Sequence, residues 1–246
     1  MMKTCASALA AALIMAAPAH AAILNGTFTV KAINVTNLTS AQSEATSANF
    51  TAAMDQTFAA NGSASVYTTD TFTYTGDINF GTFDDAEPDP DETTIAQWFD
   101  SVVGGNGSVT GAAAIDDTDA TLNDDFGALQ LSKPDISNGS ATSTFFMFTL
   151  YYAPAMDFTI THDDGVSVFD DGTLVPGGDV GPTPETISFV NGFDGGTLEI
   201  LYVATNGDPS VLEFDAAPIP VPAALPLFLG GVGLFGIASR RRRKMA

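Results

Sequence analysis

Hydrophobic and polar residues alternate through much of this chain, the pattern of strands that bury one face and wet the other. "GTFTVKAINVT" (26–36), "SVYTTDTFTYT" (65–75) and "FFMFTLYY" (145–152) are strand-type runs, the first two with partial alternation. "MDFTITH" (156–162) alternates cleanly, with Phe158 and Ile160 on one face and Thr159 and Thr161 on the other. "ETISFVNG" (185–192), "GTLEILYVAT" (196–205) and "SVLEFDA" (210–216) continue the pattern between glycine-containing turns. The period changes twice. "TTIAQWFDSVVGG" (93–105) puts Ile95, Trp98, Phe99, Val102 and Val103 on one helical stripe, with a Thr94–Gln97 capping box and Gly104 as the stop. "SANFTAAMDQTFAANG" (47–62) aligns Phe50, Met54 and Phe58, with Asn61-Gly62 as the stop. The expected fold is all-β, a β-sandwich with one or two short helices.

The two ends read differently. "MMKTCASALAAALIMAAPAHAA" joins one lysine to a short apolar run and closes on Ala19-His20-Ala21, a small-x-small cleavage pattern, so residues 1–21 read as a signal peptide and its helix. Cys5 is the chain's one cysteine and falls in that segment, so the exported form uses no disulfide. At the other end, residues 223–239 carry no charge and precede Arg240, Arg241, Arg242, Arg243 and Lys244. At about 1.5 Å per residue such a run makes roughly 25 Å of helix, short but sufficient for one transmembrane helix. The basic cluster (240–246) acts as a stop-transfer held on the cytoplasmic side. Prolines 218, 220, 222 and 226 stiffen the approach to it.

A proline motif, a glycine-rich apolar span and a terminal arginine cluster, in that order, resemble the PEP-CTERM class of bacterial sorting tails, in its VPLPA-type variant. The motif within 218–222 and the residue after it reads Ile219-Pro220-Val221-Pro222-Ala223, with Ile for the first Val and Val for Leu. The resemblance implies an exosortase-type membrane protease as partner. It further implies transient anchorage in the inner membrane, C-terminus cytoplasmic, followed by release to the cell envelope or exterior. A plain single-span anchor is the alternative.

The body, residues 22–217, holds all 29 acidic residues of the chain against two lysines, Lys31 and Lys133, for a formal charge of −27. Phosphate recognition needs cations, so nucleic-acid binding is excluded. Such acidity suits either solubility in salty water or divalent-cation binding. The acid-rich stretch 116–125 lacks the glycine and closing glutamate of a calcium-binding EF-hand loop, and both it and 84–92 read as solvated loops with at most weak affinity for cations.

"FTITHDDGVSVFDDGTLV" (158–175) carries two Asp-Asp-Gly turns. Asp171-Gly172 suits the positive φ angles of a type I′ hairpin and needs no function to explain it. Asp163-Asp164 sits between two strands and reads either as a purely structural turn or as a pair of metal ligands. The strand–DDG–strand–DG–strand pattern, with "GGTLEILYVATNGDPSVLEFD" after it, resembles the protective-antigen-type lectin-like domain over residues 145–215. The resemblance implies a lectin-like β-sandwich in which Asp163 and Asp164 hold a calcium ion that coordinates sugar hydroxyls. Asn206, or else Asp208, would be the further ligand. His162 either lines that site or is a partly buried strand residue paired with a carboxylate.

No catalytic residues emerge. The body has no thiol, one histidine and no nucleophile-elbow pattern around any serine. The leading expectation is a non-catalytic, calcium-dependent carbohydrate-binding module on the bacterial surface or in its extracellular polysaccharide matrix. A structural matrix protein without a small ligand is the alternative, and a carboxylate glycosidase the third. If the tail is a sorting signal, mass spectrometry of the envelope and extracellular fractions will recover protein lacking Arg240–Arg243. Recovery of the intact tail on the exported pool would leave a plain anchor.

Overall fold

The structure, a computed structural model, describes residues 21–58, 65–81, 93–100, 107–110, 124–133 and 141–219. The expected signal segment through Ala19 and His20, and the tail from Pro220, Val221, Pro222 and Ala223 to Arg240–Arg243, lie outside the described residues, as do residues 84–92 and 116–123. No helix among the described residues is long and apolar enough to cross a membrane.

Residues Ala21–Pro218 form one compact unit. In chain order its elements are β1 (Ala22–Ile23), β2 (Asn25–Leu38), α1 (Ser47–Met54), β3 (Tyr67–Asp77), β4 (Asn79–Phe80), α2 (Ile95–Asp100), β5 (Ser108–Thr110) and α3 (Asp124–Gly127). Then follow β6 (Ala141–Ala153), β7 (Met156–Asp163), β8 (Gly165–Asp170), β9 (Thr173–Val175), β10 (Thr186–Phe193), β11 (Gly196–Ala204) and β12 (Val211–Pro218). They make two antiparallel sheets. One has the order β1-β12-β7-β10, with β4 also on β12, and the other β5-β3-β2-β6-β11-β8-β9. The all-β expectation therefore holds for the described residues. The 145–215 segment is not a separate layer, since its strands go to both sheets.

Alternation decides which side chains fill the space between the sheets. On β7, Phe158 and Ile160 are buried while Thr159 and Thr161 stay at the surface. They meet Phe28, Phe146, Phe148, Ile200 and Tyr202 of the seven-stranded sheet in one continuous core. A second, smaller cluster lies under α1, where Ala53 joins Ile33, Val35, Phe145, Leu201 and Val203.

Helices α1 and α2 start as their sequences ask. Thr94 and Gln97 exchange the two hydrogen bonds of a capping box, and Ile95, Trp98 and Phe99 are buried. At α1, Thr46 accepts from the Asn49 amide. Its end differs from the sequence reading. The helix stops at Met54, because Gln56 takes φ +55° and closes a Schellman motif, Gln56 N–H to Ala53 O and Thr57 N–H to Ala52 O. Phe58 thus packs on the cluster from beyond the helix instead of from its stripe. Asp124 and Asp125, read as loop, open the short α3.

Trp98 is the hub of the core. Its ring stacks on Phe80 at 4.4 Å, on Phe146 at 5.0 Å and on Tyr202 at 5.3 Å, the last within 6° of parallel. Its indole N–H donates to the Ser210 carbonyl at 2.9 Å, so the one polar atom of the ring is satisfied. Trp98→Ala should therefore cost about 3–5 kcal/mol. For a unit of this size that is a drop of roughly 10 °C in Tm by circular dichroism. A fall of less than about 2 °C would show that the stack is not what joins α2 to the sheets.

Candidate functional site

The peptide Asp163-Asp164-Gly165 is the crossing between the sheets. β7 ends at Asp163 in the five-stranded sheet, and β8 starts at Gly165 in the seven-stranded one. Of the two Asp-Gly turns, only Asp171-Gly172 is a hairpin: φ is +46° and +80°, both positive as type I′ requires, and Asp170 pairs with Thr173 across it. A side chain at position 165 would run into the Val180 carbonyl, its Cβ falling 2.4 Å from that oxygen. Glycine is thus obligatory where the crossing chain passes the β9–β10 loop.

The crossing is held from several directions. The Tyr202 hydroxyl, from near the C-terminal end of β11, donates to the Asp163 carbonyl. Tyr202 is itself stacked on Trp98, so the core aromatics locate the Asp163 backbone. The peptide bond between the two aspartates is cis. His162 Nδ1 faces the Asp164 carbonyl, which only accepts, so this nitrogen carries the proton; Nε2 accepts from the Ser188 hydroxyl at 2.8 Å. Burial pushes the His162 pKa down and keeps the ring neutral. The sequence reading of His162 as partly buried and carboxylate-paired is corrected. It is wholly buried, and its partners are a hydroxyl and a backbone carbonyl.

The two carboxyls are themselves buried, Asp163 at 7 % and Asp164 at 2 % exposure. Asp164 accepts from the Thr205 amide at 2.6 Å and makes a longer contact, 3.4 Å, with the Asn206 side-chain nitrogen. Asp163 accepts from the Glu185 amide, and the two carboxyls hydrogen-bond each other. Two adjacent acids in a site closed to water cannot both ionise without a cation. Burial accordingly raises Asp163 to about 6 and Asp164 to about 8, the Glu185 charge adding to the first and the Asp163 charge to the second. They titrate as a pair. The cationic side chains among the described residues are Lys31 and Lys133, both exposed.

Of the ligands expected from sequence, Asp163, Asp164 and Asn206 come together. Asp208 is engaged elsewhere, its carboxylate accepting from the Thr93 hydroxyl at 2.8 Å. Among the described residues no group of three or more His, Cys, Asp or Glu is arranged around one metal position. The sequence reading missed Tyr202, Ser188 and the Glu185 and Thr205 amides. Tyr202 shares the inward parity of Leu198 and Ile200, which was legible; Ser188 lies between Ile187 and Phe189, whose apolar side chains point to the opposite parity, and the amides are placed only by long-range pairing. Comparison with protein families, curated proteins and solved structures finds no match to this chain.

The carboxyl pair makes stability depend on pH. Its pKa values are raised in the folded state above the ordinary value near 4, so between about pH 4 and 8 the folded protein holds protons that the unfolded chain has released. This contribution is complete below about pH 4 and is lost as pH rises through the folded values. In calcium-free buffer, Tm of the wild type should fall more steeply from about pH 5 to 8 than that of Asp163→Asn/Asp164→Asn. Equal slopes would show that the pair is ionised at no cost.

Proposed function

We propose that this protein is exported to the bacterial envelope or exterior and binds carbohydrate there through a calcium ion held by Asp163 and Asp164. One observation carries the reading: two buried, adjacent carboxyls with no basic side chain among the described residues to neutralise them. Such a pair takes up either a proton or a metal ion. Calcium accepts carboxylate and amide oxygens without strict geometry, and it needs six to eight of them. Asp163 and Asp164 supply the charged ligands. Asn206 supplies a neutral oxygen if its amide turns over, since nitrogen and oxygen occupy equivalent positions on that group. Sugar hydroxyls would complete the shell. The acidic body, with a formal charge of −27, also favours cations and neutral glycans over acidic polymers.

A second reading has an observation of its own. Asp164 is nearly closed to solvent and its oxygens already have protein partners. On that reading the proton-sharing pair is a structural staple between sheets in a matrix protein without a small ligand. Adjacent, hydrogen-bonded carboxyls do not have the roughly 5–10 Å separation of a glycosidase pair, so this site gives the third reading no support.

Calcium titration of the full-length protein separates the first two. Calcium should stabilise the fold by about 2.7 kcal/mol at 100 times Kd. That amounts to roughly 5–10 °C in Tm. Asp163→Asn/Asp164→Asn should lose most of the gain while remaining folded, and magnesium should replace calcium poorly. An unchanged Tm with calcium would favour the staple. A calcium shift kept by the double variant would place the ion elsewhere.

A further inference from the structure

The outer face of the seven-stranded sheet is divided. Helix α1 covers one half, through Ile33, Phe145 and Val203. The other half carries threonines in register: Thr27 opposite Thr75, Thr29 opposite Thr73, and Thr149 opposite Thr29 on the far side. The Thr27 and Thr75 hydroxyls are 3.1 Å apart, and Glu199 continues the second row beside Thr149. Thr27 and Thr75 are exposed. Same-face neighbours in such a sheet stand about 4.8 Å apart across strands and about 6.7 Å along them, so these hydroxyls form a regular polar grid.

Two tyrosines stand at its end. β6 and β11 pair Leu150 with Leu198 and Ala153 with Gly196, so Tyr151 and Tyr152 together face the single Thr197. This is a β-bulge, a device that re-aims side chains. Tyr152 has φ +60°, a left-handed conformation disfavoured for a bulky residue. In an unbroken strand Tyr152 would turn to the core. Here it is 96 % exposed and Tyr151 58 %, while Ala153 is buried again. The fold gains no packing from the Tyr152 ring, yet the backbone is held in an unfavourable region to display it.

The geometry points to a second, calcium-independent platform for a neutral polysaccharide, with Tyr151 and Tyr152 stacking on sugar rings and the Thr27/Thr75 and Thr29/Thr73/Thr149 rows meeting their hydroxyls. A sugar ring has an apolar C–H face and a rim of hydroxyls, which matches aromatic rings set beside hydroxyls, the Glu199 carboxylate and, in the next row, the exposed Lys31. Charge excludes acidic polymers from a body with a formal −27 and disfavours a second copy. Two rings and a polar grid also fall short of the apolar centre found in stable protein interfaces of about 800 Å² per side. The platform lies away from the aspartate pair. β7 runs from Met156, just after the tyrosines, to Asp163, a rise of about 23 Å over its length. It takes the ligand class from the carbohydrate reading above but needs neither aspartate.

Affinity electrophoresis of the full-length protein tests it, in gels containing a soluble neutral β-glucan, a galactomannan or alginate, each with calcium and with EDTA. Retardation by a neutral polymer should persist in EDTA, and alginate should retard at least tenfold less. Tyr152→Ala should weaken the EDTA-resistant binding at least tenfold. Tyr152→Gly should do the same with Tm unchanged or higher, because glycine accepts φ +60°. Retardation seen only with calcium and kept by Tyr152→Ala would overturn the platform and leave the calcium reading standing. Absence of retardation in every neutral gel would overturn both, and self-association lost on Tyr152→Ala would reassign the tyrosines to contact between copies.

Discussion

Two carboxyl groups are buried side by side at the point where the chain leaves one sheet for the other, and much of the surrounding structure answers to that. Desolvation alone would expel a pair of carboxylates from such a place. They stay because each is supplied with hydrogen bonds, Asp164 from the Thr205 amide and Asp163 from the Glu185 amide, and because burial raises both pKa values and favours the protonated forms. The neutral His162 ring joins the crossing to β10 through Ser188. Tyr202 carries the position of the Asp163 carbonyl back into the core, where it stacks on Trp98. Core packing, strand crossing and site chemistry are therefore one connected arrangement.

The local features were open to reading from sequence because their causes are local. Strict alternation around Phe158 and Ile160 marks a half-buried strand, Thr94 with Gln97 marks a helix start, and Asp171-Gly172 marks a type I′ hairpin. What depends on distant pairing was not legible. Asp163-Asp164-Gly165 and Asp171-Gly172 look alike as strings, yet one joins two sheets and the other turns within one. The early end of α1 rests on Gln56 adopting a conformation usually left to glycine, so no stop signal stands in the sequence there. The exposure of Tyr152 follows from a one-residue register shift against β11, which single-strand alternation cannot foretell. Asp163, Asp164 and Asn206 were named from sequence. Asp208 instead accepts from Thr93, a contact across 115 residues of sequence that no local pattern announces.

Acidity acts at two scales in this molecule. Over the surface, carboxylates far outnumber the two lysines, which disfavours contact with acidic polymers. At the sheet crossing, the same imbalance leaves two buried acids to be neutralised by a proton or by a metal ion. A neutral glycan is compatible with both, at the aspartate pair through a cation and on the threonine face without one.

The central claim is that calcium replaces a proton shared by Asp163 and Asp164. Isothermal titration of calcium into the full-length protein at about pH 7, in two buffers of different ionisation enthalpy, measures this directly. The account predicts release of about one proton per calcium bound, since Asp164 is raised to about 8 before the ion arrives. Heats that do not depend on the buffer, or no calcium binding at all, would contradict it.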